Sequence, residues 1–280
     1  MTRTTALLLA VLSVAPIAGC TAFQKKSFGG KAEATASAAE LRALSVDNRN
    51  GSIEVVQAEG VAGAEVTAEI RAFASTPAEA HRRTAEAKLV AEHDASGTLR
   101  VRVDFPAPAH PSDSASITVR AARADRLELV TSNGAIACEG FAAPLGARTS
   151  NGAIRVDRHR GDMDLVSSNG RIEVKRSTGG VQANTSNGRI EIALDEGAIG
   201  DVTARTSNGA ITLELPASWQ GSVEANTSNG SVELDAGDRG SAVKSSRESA
   251  RMTLGNAAAA KANLRTSNGT IRVKAAGGGR

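Results

Sequence analysis

The sequence predicts an all-β fold, a single β-solenoid (β-helix-like) with coils of about 18–21 residues and one short helix in the N-terminal part. Three observations predict it. A Ser-Asn-Gly motif recurs at nearly constant spacing, apolar and polar residues alternate on both sides of it, and a helix-start signal stands at residues 76–79. A repeat this short can hardly bury its apolar face alone, but it can do so by stacking on identical neighbours.

The motif occurs seven times, and a related Arg-Asn-Gly precedes it at residues 49–51. The aligned glycines are Gly51, Gly134, Gly152, Gly170, Gly188, Gly209, Gly230 and Gly269. From Gly134 onward the intervals are 18, 18, 18, 21, 21 and 39 residues. The last interval is close to two periods, and we expect a degenerate copy inside it with Ala250 at the glycine position.

The residues two and four positions after each glycine are apolar, as are most residues five and seven positions before it. Ile172 and Val174, for example, enclose the polar Glu173. A period of two on both sides of a turn predicts two half-buried strands per copy. Cys138 falls on an inward position, so we expect it to pack as a small hydrophobic side chain.

Asn-Gly between two strands is also typical of an independent β-hairpin, because both residues tolerate the positive φ of a type I′ turn. The constant spacing favours a solenoid in which every coil takes the same positive-φ corner. Equivalent residues then form columns about 4.8 Å apart. The predicted turn column is Asn133, Asn151, Asn169, Asn187, Asn208, Asn229 and Asn268, and the predicted hydroxyl column is Thr149, Ser167, Thr185, Thr206 and Thr227.

Residues 56–126 depart from the repeat. The segments VTAEIRAFA and GTLRVRVDF predict further strands, so we expect irregular early coils. Thr76 as N-cap, Pro77 at the first helical position and Glu79 at the third predict a helix that is looped out or caps the solenoid end.

The N-terminus predicts export and lipid anchoring. Residues 1–19 contain one Arg, a short apolar run and small residues before Cys20. Residues 17–20 resemble the bacterial lipobox, which implies that Cys20 is lipidated; a soluble export signal cleaved elsewhere is the alternative. Thr21, where Asp would mark inner-membrane retention, favours the outer membrane of a Gram-negative cell. Residues 20–40 predict a flexible tether, 41–274 the solenoid and 275–280 a disordered tail.

Composition argues against several partners and cofactors. Without residues 1–19 the chain has 32 Lys and Arg against 30 Asp and Glu, which gives no reason to expect nucleic acid. Aromatic residues make up only 2 % of the sequence. Few rings are therefore available to stack on nucleic-acid bases or on sugars. No metal-ligand spacing or cofactor fingerprint occurs, and we expect no metal and no cofactor. The histidines are expected to be solvated surface residues: His81, His93, His110 and His159.

The candidate ligand face lies where two neighbouring coils turn, and it comprises Thr185, Asn187, Arg189, Glu191, Arg171 and Glu173. Opposite charges that alternate in this way usually form a solvated, self-neutralising surface, so we expect no catalytic residue. The alternative is an enzyme, since glycan-active proteins use paired carboxylates. Trp219 follows Pro216 at a coil junction, and packing is favoured over an exposed ligand-contacting ring.

The repeats and the segment before them, residues 41–274, resemble the bacterial putative-adhesin domains of unknown function that are related to head GIN domain adhesins. The resemblance implies an exported β-solenoid, often a lipoprotein. The favoured hypothesis is a non-enzymatic, lipid-anchored envelope module that binds a glycan or a protein of the envelope or host. The alternatives are a glycan-active enzyme on this scaffold, and a scaffold or sensor partner of an envelope system that docks through the helix near residues 77–90.

Overall fold

The computed structural model describes residues 13–15, 28–38, 41–237 and 244–276. These residues form 24 strands and one α-helix. They divide into two compact units, one ending at Ala124 and the other beginning at Asp125. The expected mostly-β fold with one short helix is confirmed. Cys20, the predicted leader apart from residues 13–15, and residues 277–280 of the predicted tail lie outside the described residues.

The first unit contains eight strands and the helix. Their bounds are β1 (Ser13–Ala15), β2 (Phe28–Ala38), β3 (Ala43–Asn50), β4 (Ile53–Gln57), β5 (Ala64–Ala74), α1 (Pro77–Glu86), β6 (Lys88–His93), β7 (Thr98–Asp104) and β8 (Ser114–Ala121). The strands lie side by side in the orders β1-β2-β5-β8-β4 and β3-β7-β6.

Only part of the first unit follows the solenoid pattern. Parallel pairing joins β3 to β7 and β4 to β8, as stacked coils require. In contrast, β5 runs antiparallel to both β2 and β8, and β6 runs antiparallel to β7. The expectation of irregular coils over residues 56–126 is corrected accordingly, because β5 and β6 turn back along their neighbours instead of completing coils.

The helix begins where the sequence predicts. The Thr76 hydroxyl accepts a hydrogen bond from the Glu79 backbone N–H at 3.3 Å, and Pro77 is the first helical residue. The helix ends at Glu86, and β6 starts two residues later at Lys88. The helical docking surface expected over residues 77–90 is therefore shorter than predicted.

The second half of the predicted tether is a strand. β2 pairs with β5 along its full length, from Phe28 opposite Ala74 to Ala38 opposite Ala64. From Lys31 to Ala38 polar residues alternate with alanine, which is the period of a strand, but the signal is weak because alanine is small and disfavoured in strands. A tether can therefore extend at most from Cys20 to residue 27.

The second unit contains the remaining sixteen strands. Their bounds are β9 (Arg126–Asn133), β10 (Ile136–Glu139), β11 (Leu145–Thr149), β12 (Ile154–Asp157), β13 (Met163–Ser167), β14 (Ile172–Ser177), β15 (Val181–Thr185), β16 (Ile190–Leu194), β17 (Val202–Asn208), β18 (Ile211–Leu215), β19 (Gly221–Asn229), β20 (Val232–Asp235), β21 (Lys244–Ser245), β22 (Ser249–Leu254), β23 (Lys261–Asn268) and β24 (Ile271–Ala275). Sheet A of this unit has the order β10-β12-β14-β16-β18-β24-β20, and sheet B has the order β21-β22-β19-β23-β17-β15-β13-β11-β9.

Equivalent residues of successive coils pair in parallel register. Ile172 lies between Ile154 and Ile190 in sheet A, and Ala183 lies between Leu165 and Ala204 in sheet B. The inward column after the glycines is fully buried: Ile136, Ile154, Ile172, Ile190, Ile211 and Ile271. The predicted period of two is confirmed, and it assembles one stacked apolar core between the two sheets.

The order of coils differs from the order of the chain at the C-terminal end. β23 lies between β17 and β19, and β24 lies between β18 and β20. The last coil of the sequence is thus inserted between the two coils that precede it. β20 is consequently the last strand of sheet A, which leaves Val232 and Leu234 half-buried instead of fully inward as predicted.

The expected degenerate coil around Ala250 is not formed. Ala250 lies within β22, which runs antiparallel to β19 and places this residue opposite Ala225. Ala250 is buried on the inner face of the strand and does not occupy a corner. The segment therefore adds an antiparallel strand beyond β19 in sheet B rather than another turn of the solenoid.

Candidate ligand-binding faces

A continuous ladder of seven asparagine side chains, the asparagine ladder, follows one corner of the second unit. The Nδ2 of one side chain donates to the Oδ1 of the next at 2.8–3.0 Å in all six steps. The order is Asn133, Asn151, Asn169, Asn187, Asn208, Asn268 and Asn229. These are the residues predicted for the turn column, with the last two exchanged, and all are exposed.

The glycine after each Asn permits a close approach between stacked corners. A Cβ on Gly170 would lie 1.7 Å from the Gly152 carbonyl oxygen, and one on Gly188 would lie 2.1 Å from the Gly170 carbonyl oxygen. Gly51 has a φ of 114°, whereas the glycines of the seven Ser-Asn-Gly copies do not adopt positive φ. The expected positive-φ corner is therefore wrong for these copies, and the missing Cβ is what the corner requires.

The hydroxyl column lies inside the corner. Each hydroxyl donates to the carbonyl oxygen of a motif glycine in the neighbouring coil at 2.9–3.1 Å, and the donors are Thr149, Ser167, Thr185, Thr206, Thr266 and Thr227. All six side chains are buried. Thr185, predicted for the ligand face, is 7 % exposed and bonded to the Gly170 carbonyl oxygen, so the structure places it in the interior.

A column of serines stands beside the asparagine ladder on the outside. It consists of the first residue of every motif: Ser132, Ser150, Ser168, Ser186, Ser207, Ser267 and Ser228, all of which are exposed. Sequence reasoning did not single out these residues, although their presence in every copy was the available signal. Hydroxyls and amides together give this corner a regular polar surface.

On sheet A, the predicted charged patch is an ion-pair network around Glu173. The carboxylate of Glu173 lies 2.5 Å from Lys175 Nζ, 3.6 Å from Arg155 Nε and 3.9 Å from Arg171 Nη2. The hydrogen bond from Lys175, with the nearby positive charges, holds the pKa of Glu173 below its ordinary value. Lys175 and Arg155 are additions to the predicted set. The register between coils brings Arg155 to Glu173, whereas Lys175 is two residues after Glu173 on the same strand and face.

The other half of the patch is the pair of Arg189 and Glu191, at 3.1 Å. Glu191 is the register neighbour of Glu173 on the next strand. Beside them Ala193 stands between two longer side chains and leaves a shallow depression of about 260 Å³. Its polar lining comes from Glu173, Lys175, Glu191, Thr212 and Glu214.

The outer face of sheet B has a different charge pattern. Arg148 spans two neighbouring strands, with Nη1 2.6 Å from Glu128 and Nη2 2.6 Å from Asp164. Further along the same sheet, Arg205 and Arg265 are exposed register neighbours on β17 and β23. Neither forms an ion pair with a carboxylate of the described residues.

His159 contradicts the expectation of a solvated surface histidine. It is fully buried, and its Nε2 lies 2.8 Å from the Ala143 carbonyl oxygen. Desolvation by burial lowers the pKa of its imidazole below the ordinary value. The outcome for the other histidines is closer to the prediction, since His93 is exposed and both His81 and His110 are half-buried.

Two further side chains lie in the interior as predicted. Cys138 is 2 % exposed, and burial raises the pKa of its thiol to about 12, which keeps it protonated. Trp219 is fully buried, so it packs in the core.

Among the described residues, no group of three or more His, Cys, Asp or Glu is arranged to hold a metal ion. The described part of the chain also contains no helix with the length and apolar character needed to cross a membrane.

No match was found among curated proteins. Among solved structures, a "putative adhesin" from Bacteroides fragilis NCTC 9343 is 12 % identical, with 89 % of this chain and 98 % of that chain covered and a TM-score of 0.46. A "putative adhesin" from Parabacteroides merdae ATCC 43184 is 9 % identical, with 87 % and 95 % covered and a TM-score of 0.43.

A third solved structure, a "putative lipid binding protein" from Parabacteroides distasonis ATCC 8503, is 12 % identical, with 87 % and 97 % covered and a TM-score of 0.38. The family model described as Toastrack DUF4097 matches residues 30–274, from β2 to β24. Because this match spans most of the sequence, the chain belongs to the Toastrack DUF4097 family.

Proposed function

We infer that this protein is a non-enzymatic, lipid-anchored module of the bacterial cell envelope that binds extended polymers or neighbouring proteins through its repeated polar surfaces. The observation that supports this function is the asparagine ladder, six consecutive amide–amide hydrogen bonds on an exposed corner, with the serine column beside it.

The ladder gives the surface a fixed period. Stacked coils repeat about every 4.8 Å, so seven coils present equivalent groups over about 30 Å. Within the ladder each inner amide uses one N–H and one oxygen lone pair for its neighbours, while an amide offers two N–H groups and two lone pairs. A rigid row of this kind suits a partner that makes many weak, evenly spaced contacts, whose combined affinity exceeds that of any single contact.

The charged patch on sheet A supports binding better than catalysis. A general acid needs a carboxyl group whose pKa is raised toward neutrality, whereas the ion pairs with Lys175 and Arg155 lower the pKa of Glu173. Glu191 is likewise paired, with Arg189. Two of the three acids that line the shallow depression beside them, Glu173 and Glu191, are thus held in ion pairs.

The proposed anchor is lipid on Cys20, with the outer membrane favoured by Thr21. β2 begins at Phe28, so at most seven residues separate the anchor from the folded protein. A fully extended chain of that length spans at most about 25 Å. The first unit, which contains β2, would therefore be held close to the membrane surface.

The test is binding of the full chain, in its processed form, to an array of bacterial and host glycans, cell-wall fragments and matrix proteins. Release of products is measured on every glycan that binds. We expect binding without turnover. Turnover that disappears in both Glu173→Gln and Glu191→Gln would replace the proposal by the glycan-active enzyme, and absence of any binding would contradict the binding role. Mass spectrometry of the native N-terminus and of a Cys20→Ala variant tests the anchor.

A further inference from the structure

The outer face of sheet B contains a pair of arginines that form no ion pair with any carboxylate of the described residues. Arg205 and Arg265 are register neighbours on parallel strands, which places their Cα atoms about 4.8 Å apart. Like charges in such positions repel each other. Elsewhere on this face Arg148 pairs with Glu128 and Asp164, and Arg251 pairs with Glu224, so the unneutralised pair is a local departure from the pattern.

The pair exists because of the inserted last coil. If the coils stacked in the order of the chain, β19 would lie beside β17 and Asn226 would lie beside Arg205. Instead β23 lies between these two strands and places Arg265 beside Arg205. The resulting row across four strands is Asn184, Arg205, Arg265 and Asn226. Two positive charges are thus enclosed by two amides at the centre of the face.

With the exception of Glu224, the surrounding positions are polar and uncharged. The parallel row contains Gln182, Thr203 and Asn263, and the Asn263 amide oxygen accepts from Arg265 Nε at 3.2 Å. On the other side of the arginines stand Ser207 and Ser267 of the exposed serine column. The nearest acid in this row, Glu224, is bound by Arg251 at 3.1 Å. We call this surface the arginine strip. It consists of Asn184, Arg205, Arg265, Asn226, Gln182, Thr203, Asn263, Ser207 and Ser267.

We propose that the arginine strip binds an acidic polysaccharide, a specification of ligand class that rests on the proposed binding function. Guanidinium groups bind carboxylate and sulfate oxygens through paired, charge-assisted hydrogen bonds. The flanking hydroxyls and amides offer donors and acceptors to sugar hydroxyls without requiring aromatic stacking. An open face of parallel strands accommodates an extended chain, and the ligand's negative charges would relieve the repulsion between Arg205 and Arg265.

The experiment measures binding of the processed full chain to polygalacturonate, dextran sulfate, neutral dextran and vesicles containing phosphatidylglycerol. We expect both acidic polymers to bind, neutral dextran to bind poorly, and binding to weaken strongly near 1 M salt, where the Debye length is only about 3 Å. The double variant R205Q/R265Q should bind about tenfold or more weakly, since it loses the charged hydrogen bonds.

Matched variants distinguish the loss of the arginine strip from a general loss of positive charge. R71Q/R120Q removes two exposed positive charges from strands β5 and β8 of the first unit, and R148Q removes the neutralised arginine of the sheet B face; both should bind the acidic polymers as the parent does. Equal loss in R71Q/R120Q, or unchanged binding by R205Q/R265Q, would overturn the assignment. Preference for the vesicles over both polymers would also overturn it.

The result also distinguishes this assignment from the proposed function. Binding to other members of the glycan and protein array, with neither acidic polymer bound, would refute the arginine strip as an acidic-polysaccharide site and leave the binding role standing. Failure to bind any array member would refute both. A melting temperature of R205Q/R265Q equal to or above that of the parent would show that loss of binding does not come from unfolding.

Discussion

Asn268 Nδ2 donates a hydrogen bond to Asn208 Oδ1 at 2.9 Å, although 60 positions separate the two residues in the sequence. Asn229, which precedes Asn268 in the chain, stands one step further along the ladder at 3.0 Å. The coil containing Asn268 therefore joins two coils that would otherwise stack directly, and the ladder continues through it. This insertion keeps the corner regular while it changes which outward side chains become neighbours.

The ladder should contribute measurably to stability. Asn187→Ala removes two amide hydrogen bonds, one to Asn169 and one from Asn208. Exposed hydrogen bonds contribute modestly, so we expect a loss of about 1–2 kcal/mol in the free energy of unfolding, measured by denaturant titration. Asn184→Ala on the same strand is the control and should change it by less than about 0.5 kcal/mol. Equal effects of the two variants would mean that the ladder does not stabilise the corner.

The motif glycines should tolerate no side chain. Gly170→Ala would place a Cβ 1.7 Å from a backbone oxygen of the neighbouring coil, and two stacked backbones must then separate. We expect a loss of about 3 kcal/mol or more. Gly197, with a φ of 82° and nothing within 4 Å of an added Cβ, is the control, and Gly197→Ala should cost only about 1–2 kcal/mol. A smaller loss in Gly170→Ala than in Gly197→Ala would contradict the close-approach explanation.

The alternation of inward and outward side chains predicts opposite effects on stability for substitutions at two adjacent residues. Ile190 is fully buried, so Ile190→Asp places an unpaired charge in the core and should abolish cooperative thermal unfolding or lower the melting temperature sharply. Arg189 forms an exposed ion pair with Glu191, and Arg189→Ser should cost less than about 1 kcal/mol. Tolerance of Ile190→Asp would disprove the inward assignment.

Stability should fall under mild acid because of His159. Its folded-state pKa lies below the ordinary 6.5, so the unfolded chain binds the proton first as the pH decreases. The free energy of unfolding should therefore be constant above about pH 7 and decrease from there down to the folded-state pKa, by at most about 1.4 kcal/mol per pH unit. Glu173 and Asp157, whose pKa values are lowered from 4.5 and 3.8, contribute a further loss only at lower pH.

Urea titrations between pH 5 and 8 check this dependence. His159→Gln should flatten the profile above pH 5, while His93→Gln, at an exposed position, should leave it unchanged. A parent profile that is already flat in this range would show that His159 is protonated equally in the folded and unfolded states.

Much of the repeat could be predicted from the sequence, because alternation and spacing follow directly from which residues must be buried. Ile136 and Ile190 illustrate this, since the alternation of apolar and polar residues alone assigned them to the core. The order of the coils could not be predicted in the same way. The copies at Gly209, Gly230 and Gly269 are nearly identical, so the local pattern cannot show which two of them stack.

Other differences arise from contacts made across coils. Burial of His159 depends on the Ala143 carbonyl oxygen, which lies sixteen residues away in the previous coil. Similarly, the ligand face predicted from the sequence includes Thr185, but its side chain is buried and its hydroxyl donates to the Gly170 carbonyl oxygen of the previous coil. The candidate face was therefore predicted in part: Asn187, Arg189, Glu191, Arg171 and Glu173 are at the surface or partly exposed there, whereas the arginine strip depends on the unpredicted insertion.

The most direct test of the central claim, that a periodic surface binds through many weak contacts, is affinity as a function of ligand length. A size-graded series of oligomers of any polymer bound by the processed chain would be measured by calorimetry, with product release followed in the same samples. The account predicts affinity that rises steeply until the oligomer spans about 30 Å, the length of seven coils, and then levels off without turnover. Affinity already maximal for a single sugar unit, or steady product release, would contradict it.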